Sequence, residues 1–229
     1  MRADRKRERT QNQIPPKASG VSGMGRGVHI STEFAFLLSG VFIMLVAWAL
    51  NLLGTIAGDQ SSGHGVSDVY LWLFLMFQGL GFSTVGVIGA NYREFMTNPA
   101  LGKRYAVGFL LIADGGLHLL ALNQHLGAAP QAAFFAIVSP IQIVGGIAFI
   151  DLPRRLDPIW LLFTGFLIAA FVLTRTVAVW PIGVVEEVDP LGLISKAVEI
   201  AMIAMLVSLV RADNAKKSDL RSASPANGP

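Results

Sequence analysis

The sequence predicts an all-α integral membrane protein, a bundle of six transmembrane helices with both termini in the cytoplasm. The mean hydropathy is +0.56, and 53% of the residues are apolar while only 14% are charged, which lies outside the range of soluble domains. The apolar residues form separate runs of about 20 residues, the length that crosses a hydrocarbon core of roughly 30 Å. The basic residues fall on alternate loops, which predicts the orientation.

The predicted spans take up most of the chain. They run over residues 33 to 57, 68 to 90, 105 to 126, 131 to 151, 158 to 180 and 190 to 210. Ser31 or Thr32 is the predicted cap just before the first span. The dipeptides Asp157-Pro158 and Asp189-Pro190 predict where the fifth and sixth spans begin, because aspartate caps free amides and proline needs no donor in the first turn.

Lysine and arginine residues flank one set of loops only. They lie in the N-terminal tail, in the second and fourth loops and in the C-terminal tail, and the other loops have none. This asymmetry predicts that both termini are cytoplasmic, in a plasma membrane or a bacterial inner membrane. We expect a basic, disordered cytoplasmic tail over 1–30, the transmembrane domain over 31–211 and a second disordered tail over 212–229.

Several classes of protein are disfavoured by what the sequence lacks. It has no cysteine, which excludes disulfides and thiolate ligands. It has no phosphate-binding loop, nucleophile elbow or zinc-protease motif, so the balance is against an enzyme. No cofactor is predicted, and haem is disfavoured because the histidines inside the spans share one helix. The positive charge reflects topology, so the expected partners are lipids and other membrane proteins, with no nucleic acid.

A few ionisable residues lie inside the predicted spans: Asp114, His118, Arg175, Lys196 and Glu199. A charged group at the bilayer centre costs about 2.5–3.5 kcal/mol, so we expect these side chains to face the bundle interior. Helical spacing puts Asp114 and His118 on one face of the third span, and Lys196 and Glu199 on one face of the sixth. The sequence therefore predicts a polar column in the outer half of the membrane, with these five residues binding a ligand or protons.

Three hypotheses use this column. In a transporter-like or ligand-binding protein, the column opens outward, and its mouth is formed by Asp59, His64, Glu186 and Glu187. In a non-catalytic structural subunit or scaffold, Asp114 and Glu199 pair with Arg175 and Lys196 only to join helices. In a metal-binding protein, Asp114, His118 and Glu199 are the candidate ligands, although the nearby cations oppose a metal ion.

Small residues predict where the helices approach one another closely. They occur at Gly79 and Gly86 on the second span, at Gly145-Gly146 on the fourth and at Gly165 on the fifth. Helices in membranes pack closely at such residues because the backbones can come together there.

Overall fold

The computed structural model describes residues 31–57 and 66–223. In these ranges the chain forms seven α-helices and no strand. The helices are α1 (Thr32–Ile56), α2 (Val66–Ala90), α3 (Tyr92–Thr97), α4 (Pro99–Gln124), α5 (Ala129–Ala148), α6 (Asp157–Thr176) and α7 (Pro190–Ala223), with a 3-10 turn at Arg154–Leu156 before α6. The basic tail predicted over 1–30 lies outside the described residues.

The predicted six-span bundle is confirmed. In the described part of the chain, six helices are long and apolar enough to cross a membrane: α1, α2, α4, α5, α6 and α7. The short helix α3 lies between the second and third spans. The cytoplasmic location of both termini stays a prediction.

Two of the three predicted helix caps are present. The Ser31 hydroxyl accepts a hydrogen bond from Phe34 N (3.2 Å), and Asp189 Oδ1 accepts one from Gly192 N (2.7 Å). The predicted cap at Asp157 is wrong, because α6 already includes this residue and its carboxylate binds the guanidinium of Arg104 instead. Pro158 nevertheless lies in the first turn of α6, as expected.

Two boundaries differ from the predicted spans. The third span begins at Pro99 instead of 105, since Asn98 Oδ1 caps the helix by accepting from Leu101 N (3.2 Å). The last helix continues to Ala223, through residues predicted to belong to an unstructured tail. Residues 211 to 223 contain neither proline nor glycine, so nothing in the sequence breaks the helix there. Residues 224–229 lie outside the described part of the chain.

Helix α4 is at the centre of the bundle. It packs against α5 and α7 and more lightly against α1 and α2, while α1 packs mainly on α2 and α6 on α7. The closest approach of α4 to α5 is at Gly108 and Gly146, where a Cβ on Gly146 would lie only 2.6 Å from Gly108 O. Gly165 does not mark a close approach, because a Cβ there would meet nothing within 4 Å.

Candidate functional site

The central helix carries a buried polar stripe that meets polar groups of α5 and α7. Asp114 and His118 lie one turn apart on α4, and both are buried. Gly115 allows α5 to come close, since a Cβ there would lie 3.0 Å from Ser139 O. This approach brings Gln142 of α5, which is fully buried, into contact with both stripe residues.

The amide of Gln142 links Asp114 to His118. Its Nε2 donates to Asp114 Oδ2, so its Oε1 is left to accept. That oxygen lies 2.6 Å from His118 Nδ1, which must therefore carry the hydrogen and donate. The arrangement fixes the histidine ring and leaves its other nitrogen, Nε2, facing Glu199, at 4.0 Å from Oε1.

Three residues of α7 complete the cluster. Ser195 Oγ donates to Asp114 Oδ1 (2.6 Å) and also lies 3.4 Å from Glu199 Oε1. The ammonium of Lys196 donates to the same oxygen of Glu199. The second oxygen of Glu199, Oε2, is buried and has no hydrogen-bond partner among the residues that the structure describes. We call Asp114, His118, Gln142, Ser195, Lys196 and Glu199 the polar cluster.

A cavity of about 200 Å³ opens beside the polar cluster. It lies between α4, α5, α6, α7 and the segment 177–189, and His118, Ser195 and Lys196 line it. Its walls are largely apolar, and its charged lining residues besides Lys196 come from α6 and the segment that follows. The lining also includes Phe134, Phe135, Phe171, Ala170, His125, Arg175, Pro181, Glu186 and Asp189.

Arg175 is placed apart from the polar cluster. Its guanidinium contacts Glu186 (2.8 Å) and Asp189 (3.5 Å), so it does not pair with Asp114 or Glu199 as the scaffold hypothesis proposed. It lies 4.0 Å above the ring of Phe171, and the Lys196 ammonium lies 5.3 Å from that ring. The structure therefore brings four of the five predicted residues together, whereas Arg175 pairs with Glu186 and Asp189 and shares only the ring of Phe171 with Lys196.

The predicted mouth is present only in part. Glu186 lines the cavity, whereas Glu187 is exposed and does not. Asp59 and His64 lie outside the described residues. His125 also lines the cavity, but its Nδ1 is within hydrogen-bond distance of Ala121 O (2.8 Å), one turn earlier in α4.

Gln142 and Ser195 belong to the polar cluster but are not among the site residues predicted from the sequence. Gln142 was recognisable only as a polar residue near mid-membrane, and Ser195 only as a member of a polar face on the last span. Amide and hydroxyl side chains inside a membrane usually form hydrogen bonds with other helices, so both residues indicated a contact between helices. The spacing of residues along one helix does not identify the partner on another.

Three cluster residues can present metal-binding atoms to one point. One ligand atom from each of Asp114, His118 and Glu199 lies within 4.8 Å of the other two, and all three residues are buried. His125 is not part of this group.

The fold and the site define a multi-pass α-helical membrane protein with a buried polar cluster beside a cavity. Comparison with models of known protein families, with curated proteins and with solved structures finds no match to this chain.

Proposed function

We propose that the chain binds a small solute in the cavity and acts as a transporter-like or ligand-binding membrane protein. The observation that carries this proposal is the inner end of the cavity, where His118, Ser195 and Lys196 present polar atoms inside an otherwise apolar bundle. Ligand sites commonly combine apolar walls with a few polar groups that fix orientation.

The lining favours a solute with a compact apolar body and one hydrogen-bond acceptor. Phe134, Phe135 and Phe171 supply aromatic surface, and about 200 Å³ of space suits a molecule with a single ring. At the inner end, Lys196 is a donor only, so it favours a carbonyl or carboxylate oxygen on the solute. Arg175 adds a second donor to the lining, although Glu186 and Asp189 already pair with it.

The scaffold hypothesis rests on the same cluster. The hydrogen bonds of Asp114 with Gln142 and Ser195 join α4 to α5 and α7, as they would in a protein that only holds helices together. The two hypotheses differ in whether water and solutes reach the cavity.

Because the chain has no cysteine, a single introduced thiol reports on access to the cavity. Ala170 lines the cavity, and its neighbour Ala169 is exposed on α6 without lining it. In membranes, Ala170→Cys should react with a charged methanethiosulfonate reagent applied from the predicted external side. Ala169→Cys should not, because a thiol facing lipid forms little reactive thiolate.

The same labelling reaction tests the kind of solute. Benzoate, benzyl alcohol and benzylamine share one ring and differ in the polar group. We expect benzoate to slow the labelling of Ala170→Cys most, and expect Lys196→Met to remove its advantage over benzyl alcohol. Equal labelling of Ala169→Cys and Ala170→Cys, or no protection by any of the three compounds, would favour the scaffold.

A further inference from the structure

We propose that Asp114, His118 and Glu199 form a site for a divalent transition-metal ion such as Zn²⁺, and that the Lys196 ammonium is an internal cation which moves aside when the metal binds. This goes beyond the proposed solute site, because the metal ligands lie at the inner end of the cavity and two of them, the carboxylates, do not line it. Imidazole nitrogen and carboxylate oxygen are ligands that Zn²⁺ accepts.

The distances between the ligand atoms are close to those of a metal site. The three candidate atoms lie within 4.8 Å of one another. Metal bonds of about 2.0–2.2 Å in a tetrahedral site place the ligands roughly 3.3 Å apart, so the widest pair needs to close by up to about 1.5 Å. Glu199 can supply this movement through its side-chain torsions, and its Oε2 atom gives up no hydrogen bond to any residue that the structure describes.

Gln142 orients the histidine as the outer shell of a metal site would. Metal-binding histidines usually donate their other ring N–H to a fixed acceptor, which sets the tautomer and the ring orientation. Here Nδ1 of His118 donates to Gln142 Oε1, so the lone pair of Nε2 is free and faces Glu199. The same amide holds Asp114 through Nε2, so one residue positions two of the three ligands.

Charge gives a reason for the site to accept a divalent ion. The two carboxylates are buried, and one of them already contacts a cation, the Lys196 ammonium. A divalent ion with Asp114 and Glu199 is neutral once Lys196 withdraws. Lys196 has room for this, because it also lines the cavity and its ammonium lies 5.3 Å from the ring of Phe171.

Metal binding to the purified full-length protein tests the proposal. The protein in detergent is stripped with a chelator and titrated with ZnCl₂ against a chelating dye. We expect one Zn²⁺ per chain, with affinity lowered at least tenfold by Glu199→Gln and by His118→Gln. Gln142→Leu should lower the affinity roughly 10–100-fold, the usual effect of losing an outer-shell partner.

Lys196→Met is the decisive variant, because it should raise the affinity while the other changes lower it. His125→Gln is the matched control on the same helix and should leave the affinity unchanged. Loss of binding in His125→Gln but not in Glu199→Gln would show an adventitious ion only, held near the cavity mouth, and would overturn the proposal. Absence of stoichiometric Zn²⁺ from both the wild-type protein and Lys196→Met would overturn it as well, whatever the labelling of Ala170→Cys shows about solutes.

Discussion

Replacing Arg104 with methionine tests which charged groups of this bundle are structural. Arg104 lies near the start of α4, and its side chain is 5% exposed while that of Asp157 is 3% exposed. Its Nη1 lies 2.9 and 3.0 Å from the two carboxylate oxygens of Asp157. Its Nη2 donates to Phe149 O (2.5 Å) and Leu152 O (2.7 Å), just beyond the end of α5. One guanidinium thus holds α4, the end of α5 and the start of α6 together.

The loss of stability in Arg104→Met depends on the groups that the guanidinium leaves without a partner, which are the Asp157 carboxylate and two backbone carbonyls. Removing one partner of a buried ion pair typically costs about 3–5 kcal/mol, because the other charge stays buried and unpaired. Each of the two carbonyls adds on the order of 1–3 kcal/mol unless water replaces the guanidinium. We therefore expect Arg104→Met to lower the free energy of unfolding by at least about 3 kcal/mol. The change should leave labelling of the cavity unaltered.

The assay is reversible unfolding in mixed micelles as SDS is added, with Arg155→Met as the control. Arg155 is exposed in the 3-10 turn beside Asp157, so its replacement should change the free energy by about 0.5 kcal/mol or less. The double variant Arg104→Met with Asp157→Asn removes both charges and should cost less than the sum of the single variants. Additive single effects, or equal effects of Arg104→Met and Arg155→Met, would refute the reasoning.

Two other outcomes are expected. Gly146→Ala should lower the thermal unfolding temperature, because its Cβ would lie 2.6 Å from Gly108 O. Gly165→Ala should not, because its Cβ would have no described atom within 4 Å. Similar decreases in unfolding temperature for the two variants would contradict the close approach of α4 to α5. Nitrogen NMR of the His118 ring should show the hydrogen on Nδ1, because Gln142 Oε1 can only accept, and Gln142→Leu should remove this preference. A hydrogen found on Nε2 instead would show that the amide of Gln142 is oriented the other way.

The bundle was predictable because each span is a local property of the sequence. An apolar run of about 20 residues predicts a transmembrane helix, whatever the rest of the chain contains. The interior placement of Asp114 and Glu199 could also be predicted, because charged side chains avoid lipid and helical spacing shows which face of each helix carries them. Neither argument needs to know which helix packs on which.

The partners of Arg175 and Arg104 were not predictable on the same grounds. Arg175 binds residues of the segment 177–189, which folds back so that Glu186 N donates to Thr174 O (2.9 Å). No helical period describes such a segment. Arg104 was assigned to a loop because the start of α4 was predicted six residues too late, and its partner Asp157 matched a capping motif that it does not use.

The Arg104–Asp157 pair and the polar cluster differ in ways that support different roles for them. No buried nitrogen of Arg104 lacks a partner, and the Arg104 side chain does not line the cavity, so its pairing with Asp157 is complete as a structural contact. In the polar cluster, one buried oxygen of Glu199 has no partner in the described part of the chain. Lys196 both contacts Glu199 and lines the cavity. A buried polar group without a hydrogen-bond partner lowers the stability of the fold. If the polar cluster served only to join helices, the protein would be more stable with a hydrogen-bond donor to this oxygen, or with an apolar side chain in place of Glu199. Three residues of the polar cluster, His118, Ser195 and Lys196, also line the cavity, so the polar cluster is better placed than Arg104 to contact a solute.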